Sequence, residues 1–306
     1  MIKKIFTVLL LVLIFSCGDN QTKQSVDSYE EDILGFWNRV GTIQLMNGIP
    51  VDTLAFADSN NPDNKQIKAY LNDRVMWVNN FWIDSTTPWK GGSGGYGKFN
   101  IYSRDSLTEL MSNGTGLMGT DIKQYKEDQG VDSQAWNMSI SLGDGTFSQK
   151  NRPNSEYAEY WKKLPDLSPK SRIDGVWKRV YEIAYVNDIP VDTTSAPSDV
   201  ILDVKVMYGG RYMYQVDLTG LAESDQPLYG GFGGYGTFEL DIDNGELNEF
   251  QEWGTGTSTQ TFAFKTNKLT HKIEFYNDDL FLQISSGSII GNSEATGRGL
   301  VYKRIK

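Results

Sequence analysis

Ile33-Leu34-Gly35-Phe36-Trp37-Asn38-Arg39-Val40 decides the fold, because it returns as Ile173-Asp174-Gly175-Val176-Trp177-Lys178-Arg179-Val180. The match runs on through Asn47 and Ile49-Pro50-Val51-Asp52-Thr53 to Asn187 and Ile189-Pro190-Val191-Asp192-Thr193, with 12 identities in the 21 ungapped positions from Ile33 and Ile173. Gly94-Gly95-Tyr96-Gly97-Lys98-Phe99 returns as Gly233-Gly234-Tyr235-Gly236-Thr237-Phe238, and Gly114-Thr115-Gly116 as Gly254-Thr255-Gly256. The chain is a tandem duplication. A unit of about 140 residues is the size of a domain, far above the 20 to 50 or so of a solenoid repeat. Each copy is long enough to bury a core of its own.

Within each copy the hydrophobic pattern has period two. Leu202, Val204, Val206 and Tyr208 alternate with Asp203, Lys205 and Met207, the signature of a half-buried strand with one apolar face. Gly209-Gly210, and Asn72-Asp73 in the first copy, then punctuate two strands as hairpins. No long amphipathic helix is expected; Asp121 to Gly130 and Asn154 to Glu159 offer one or two turns each. Many short strands with frequent turns point to all-β domains, either a sandwich or a closed antiparallel barrel. The glycine-rich segments Gly91 to Gly95 and Gly230 to Gly234 favour the barrel, because coiled strands need bends.

The flanks divide the chain. Met1-Ile2-Lys3-Lys4 is basic, and the apolar run from Ile5 to Phe15 is too short to span a bilayer, so residues 1–16 read as a signal peptide. Ile14-Phe15-Ser16-Cys17-Gly18 resembles the bacterial lipobox, which makes Cys17 the lipidation site and the membrane a partner through that anchor. Residues 17–32 are polar and read as a flexible tether. Domain one then covers 33–164, a linker containing Pro165 and Pro169 covers 165–170, and domain two covers 171–306. The linker and the complete duplication predict two self-sufficient halves. Losing Lys3 and Lys4 with the signal peptide takes the net charge from −10 to −12, which argues against nucleic acid as a partner. With Cys17 the only cysteine, neither domain has a disulfide framework.

Residues with chemistry are few. His271 is the only histidine, so a metal site built from histidines is excluded, and it is expected on a strand surface. A pairing of His271 with Ser258 or Ser285 has no motif behind it. Few titratable groups fall at evidently equivalent strand positions in the two copies. Asp241-Ile242-Asp243-Asn244-Gly245 with Glu252 resembles a calcium loop but has its glycine one place early, and an Asn-Gly type I′ turn explains it more simply. The Gly-rich blocks lack the Lys-Ser/Thr of a phosphate loop. No cofactor is expected. Asp52-Thr53-Leu54, Asp84-Ser85-Thr86, Asp105-Ser106-Leu107 and Asp192-Thr193-Thr194 resemble an O-glycosylation acceptor of some Gram-negative envelopes, with Asx-turns as the simpler reading at Asp52 and Asp192.

Taken together, Gly35-x-Trp37-x-Arg39-Val40 and Gly175-x-Trp177-x-Arg179-Val180, Met76-Trp77-Val78, the Gly-Gly-x-Gly-x-Phe segments, Tyr160-Trp161-Lys162-Lys163 and Tyr302-Lys303-Arg304 resemble the lipocalin-like domains of bacterial envelope lipoproteins. The resemblance covers residues 30–306 and implies two tandem up-and-down barrels. It implies that Trp37 and Trp177, with Arg39 and Arg179 beside them, plug one end of each barrel. A basic residue of the last strand would cover each indole: Lys162 or Lys163 for Trp37, Lys303 or Arg304 for Trp177. The Thr-Asp-Tyr motif and disulfide cysteines of true lipocalins are missing. The expected function is a non-enzymatic lipoprotein of the outer membrane, facing the periplasm or the surface, whose barrels bind a small apolar or amphipathic ligand. Met76, Tyr96, Met213 and Tyr235 are the candidate cavity residues. The alternative is a structural lipoprotein with filled barrels that meets a protein or glycan on its outer surface.

Overall fold

The computed structural model describes residues 26–57, 64–80, 92–151, 155–195, 202–217, 231–255, 268–286 and 296–306. Cys17, the signal peptide, Asp84-Ser85-Thr86 and Ser258 lie outside the described residues. The first copy runs α1 (Val26–Ile33), β1 (Gly35–Met46), β2 (Ile49–Ala55), β3 (Gln66–Leu71), β4 (Arg74–Asn79), β5 (Ser93–Ser103), β6 (Ser106–Thr115), α2 (Gly116–Gln129), β7 (Gln134–Gly143), β8 (Thr146–Lys150) and β9 (Tyr157–Lys163). The second runs β10 (Gly175–Val186), β11 (Ile189–Ser195), β12 (Leu202–Tyr208), β13 (Arg211–Asp217), β14 (Gly231–Asp241), β15 (Glu246–Thr255), β16 (Lys268–Asn277), β17 (Leu280–Ser286) and β18 (Gly297–Ile305). Every pairing is antiparallel between neighbours, and β1–β9 and β10–β18 close the two sheets. Each copy is thus an eight-stranded up-and-down barrel. Its ninth strand, β2 or β11, pairs only with the far half of β1 or β10.

Local chemistry explains the turns. Asn187-Asp188 and Gly209-Gly210 have positive φ at both central residues, as the right-handed twist of two-residue hairpins requires. Asn244-Gly245 differs from expectation: strands β14 and β15 separate after Asp241 and rejoin at Glu246, and only Gly245 has positive φ. The Asp241 carboxylate closes this longer turn by accepting the Asn244 backbone and amide N–H groups. Gly97 and Gly236 sit at bulges facing β6 and β15, where a Cβ would stand 2.0 Å from the Leu110 carbonyl oxygen and 2.2 Å from that of Phe250.

Two segments depart from the sequence reading. From Val26 onward the expected tether is helix α1, which ends in the buried Ile33 and lays Tyr29 against the core. The short helix expected from Asp121 begins at Gly116 and runs to a left-handed Gly130 cap; of the turn expected at Asn154 to Glu159, Asn154 lies outside the described residues and Tyr157 to Glu159 belong to β9.

Both barrels are closed at one end in the same way. The Trp37 indole N–H donates to the Ile33 carbonyl and that of Trp177 to the Ile173 carbonyl, each at 2.7 Å. Phe147 meets Trp37 edge-on and stacks on Trp161; Phe281 repeats this with Trp177 and Tyr302. Gly35 and Gly175 adopt positive φ, and a Cβ at Gly175 would stand 2.1 Å from the Arg304 guanidinium. The glycine of the repeated motif makes room for the basic cover.

The two halves do not stand apart. Phe36, Ile67, Ala69, Met76, Val78 and Tyr96 of the first barrel form one buried apolar cluster with Val176, Leu202, Val204, Val206, Met213, Tyr235 and Trp253 of the second. The contact is reciprocal, β4 against β15 and β13 against β6, the pattern of a twofold interface. Gln215 crosses it, donating to the carbonyls of Trp77 at 2.6 Å and Gly95 at 3.0 Å.

Candidate functional site

Strand alternation, combined with the shared face, dictates what enters each lumen. On β3, Ile67 and Ala69 point to the other barrel, so Gln66, Lys68 and Tyr70 point inward. On β12, Leu202, Val204 and Val206 take the interface, so Asp203 and Lys205 turn inward. These strands are buried on both faces, not half-buried, and their polar face is the inner one.

The lysines anchor equivalent buried networks. Lys68 donates to Glu109 and Gln149, both at 2.8 Å, and Tyr70 donates to the same Glu109 oxygen. Lys205 donates to Glu249 at 2.6 Å and Gln283 at 3.1 Å. Lys68 lies over the Trp161 ring and Lys205 over Tyr302. Burial and the Glu109 charge push the Tyr70 hydroxyl far above its usual range, so it stays a donor. Burial works against ionisation of Glu249 as well, yet Lys205 and His271 override it and hold the carboxyl at about 2.

Arg39 and Arg179 also point into the lumens. Arg39 donates to Gln66, Glu159 and Thr42 at 2.9–3.1 Å. Arg179 pairs with Asp203 at 2.9 Å and Glu182 at 3.2 Å, and Arg298 grips Glu182 through two bonds of 2.7 Å. Burial pushes the Asp203 carboxyl up, and Arg179 and Lys205 only partly offset it. Each basic cover comes from the last residue of the motif: Lys163 lies 5.5 Å from the Trp37 ring and Arg304 4.1 Å from that of Trp177. Trp37 and Trp177 themselves are completely buried.

The four candidate cavity residues come together, but not in a lumen. Met76, Tyr96, Met213 and Tyr235 are all outward-facing members of the apolar cluster between the barrels, and they fill space there. Tyr235 also accepts a 2.6 Å bond from Arg211 at the edge of this interface. His271, expected on a surface, is buried in the second lumen, its Nδ1 2.7 Å from Ser285 Oγ and its Nε2 3.4 Å from Glu249. Lys205 already neutralises Glu249, so Ser285, His271 and Glu249 extend an ion-pair network centred on the lysine.

The first lumen opens into a half-open cavity of about 820 Å³. Lys68, Glu109 and Gln149 form its floor, Arg39, Gln66, Glu159 and Trp77 its walls. Trp136 and Asn137 of β7, Asn151, and Met118 and Asp121 of α2 form its rim. Trp136 is half-buried against Trp77, ring centroids 6.3 Å apart. Sequence reasoning missed Lys68, Glu109 and Gln149 with their counterparts, because loops of unequal length shift the offset from 137 to 140 to 134 along the chain. Aligning the copies strand by strand, with Gln-Ile-Lys against Asp-Val-Lys at Gln66 and Asp203, exposes them. Among known proteins, the chain matches no family model and no curated sequence.

Proposed function

We propose that this protein is a membrane-anchored envelope lipoprotein, lipocalin-like in kind, that binds a small amphipathic ligand without catalysis. The observation that carries the reading is the pocket of the first barrel. It is large enough for a small molecule, sits at the mouth of a small barrel, and combines tryptophans with converging polar groups. Its polar lining removes a purely apolar ligand from the expectation. The anchor rests on the sequence alone, through the leader that ends at Cys17.

Native mass spectrometry of the full chain purified from its own envelope tests the pocket. A bound mass is expected with the wild type and is lost in Trp136→Ala, whereas wild type that carries nothing would overturn ligand binding. For the anchor, Cys17→Ser should leave the membrane fraction; a mutant that stays, with no fatty acid incorporated into the wild type, excludes lipidation.

A second reading has its own observation. Ile49 and Val51 of β2 and Ile189 and Val191 of β11 are exposed on both copies of the projecting hairpin. Paired apolar strands of this kind suit contact with a partner.

A further inference from the structure

We propose that the pocket of the first barrel takes a neutral saccharide. The inference rests on that pocket being the ligand site, and it follows from which of its groups are already committed. Both cations are engaged: Arg39 with Glu159 at 3.1 Å, Lys68 with Glu109 at 2.8 Å. A carboxylate or phosphate head group would have to break a partly or fully buried ion pair to gain a cation. A cationic ligand meets the same obstacle at Glu109 and Glu159; Asp121, the remaining carboxylate of the lining, lies exposed to water at the rim.

The uncommitted groups are amides. Gln66 accepts from Arg39 and Asn151 from Gln149, each through its side-chain oxygen. Both therefore keep an NH₂ group for other partners. Amide donors in a pocket whose buried charges are already paired call for a ligand rich in neutral acceptors, such as hydroxyl, ring and acetamido oxygens. Trp136, half-buried at the mouth, adds a flat apolar surface against which the C–H face of a pyranose can lie. A site that hydrogen-bonds hydroxyls also discriminates sharply against analogues without them.

The second barrel lacks this set. Glu109 faces Trp136 across β6 and β7, while its counterpart Glu249 faces Leu269 across β15 and β16. The position of Asn151, two residues beyond Gln149, corresponds to Ser285, two beyond Gln283. Trp77 corresponds to Tyr214, paired with Lys205 as Trp77 is with Lys68.

Saturation-transfer NMR on the full chain, with maltotriose, cellotriose and chitotriose as neutral probes and laurate as an anionic amphiphile, tests the assignment. At least one trisaccharide should bind. Its affinity should fall about tenfold or more in Trp136→Ala and measurably in Asn151→Ala, with Leu269→Ala unchanged. Circular dichroism matching the wild type confirms that each variant is folded. A trisaccharide that binds wild type and both pocket variants equally sits elsewhere and overturns the proposal. Binding of laurate alone, lost in Trp136→Ala, overturns the saccharide class and keeps the pocket as a ligand site. Binding of neither class overturns both.

Discussion

The two barrels hold the same lysine, glutamate and glutamine at the same depth but surround them differently. In the first, Lys68 and Glu109 lie beneath tryptophans and amides at an open mouth. In the second, Lys205 and Glu249 are bound into a network with His271 and Ser285, and Arg179, Asp203, Glu182 and Arg298 form another. What is common, the ion pair with the Trp37 or Trp177 closure, belongs to building a barrel. What differs, Trp136 against Leu269 and Asn151 against Ser285, is where the copies have been free to take separate tasks.

The largest expected effect tests how far the copies are independent. Trp37→Ala or Trp177→Ala deletes a fully buried indole, its aromatic neighbours and its bond to the Ile33 or Ile173 carbonyl, at about 3–5 kcal/mol. Because Phe36 and Val176 beside these residues belong to one shared cluster, both barrels should shift together in calorimetry. One transition that moves while the other keeps its place would show that the shared face contributes little to stability.

The buried ion pairs come next. Lys68→Met and Lys205→Met each leave a buried glutamate without its cation, an effect of about 3–5 kcal/mol. Acid distinguishes the second barrel. Glu249 titrates from about 4.5 in its ordinary state down to about 2 when folded, so its contribution is complete above the higher value and lost as pH falls through the lower. Asp203 acts in the opposite sense: its raised carboxyl makes the folded form favour the proton, and acid relieves it. Denaturant unfolding at pH 7 and pH 3 should therefore show a loss that Glu249→Gln reduces, and an acid dependence unchanged by that substitution would remove Glu249 as its source.

How much of this the sequence discloses depends on a question of sides. The duplication and the strand alternation are legible because each is a local pattern in the chain, and the closure at Gly35-x-Trp37 is legible through the resemblance that the motif carries. Alternation, however, says only that Leu202, Val204 and Val206 share a face, and not whether that face looks into the barrel or toward a second barrel. Read as core, they hide Lys205 as a solvent-facing residue; the tertiary contact reverses the assignment and makes the polar face the lumen. Met76 and Met213 shift from lumen to interface for the same reason. Trp136 and Asn151 carry no repeat to mark them, because a position used by one barrel alone leaves no second copy to compare.

The smallest difference lies in the covers. Lys163 sits 5.5 Å from the Trp37 ring and donates to the Asp32 carbonyl at 3.0 Å, and burial lowers its ammonium's basicity against the pull of Asp166 and Asp32. Arg304 lies closer, at 4.1 Å, and its planar guanidinium donates to three carbonyls, those of Asp278, Asp174 and Arg172. A lysine ammonium can aim at few acceptors while it faces a ring, whereas a guanidinium spreads over the indole with its edge donors still engaged. Lys163→Met should therefore cost about 0.5–1 kcal/mol and Arg304→Met about 2 kcal/mol. Lys163→Arg should recover part of the gap only if the segment around Asp32 can offer a second carbonyl. Urea unfolding of the three variants measures this. Equal losses for Lys163→Met and Arg304→Met would mean that the number of carbonyls clipped does not matter, leaving the ring contact alone to hold the closed end.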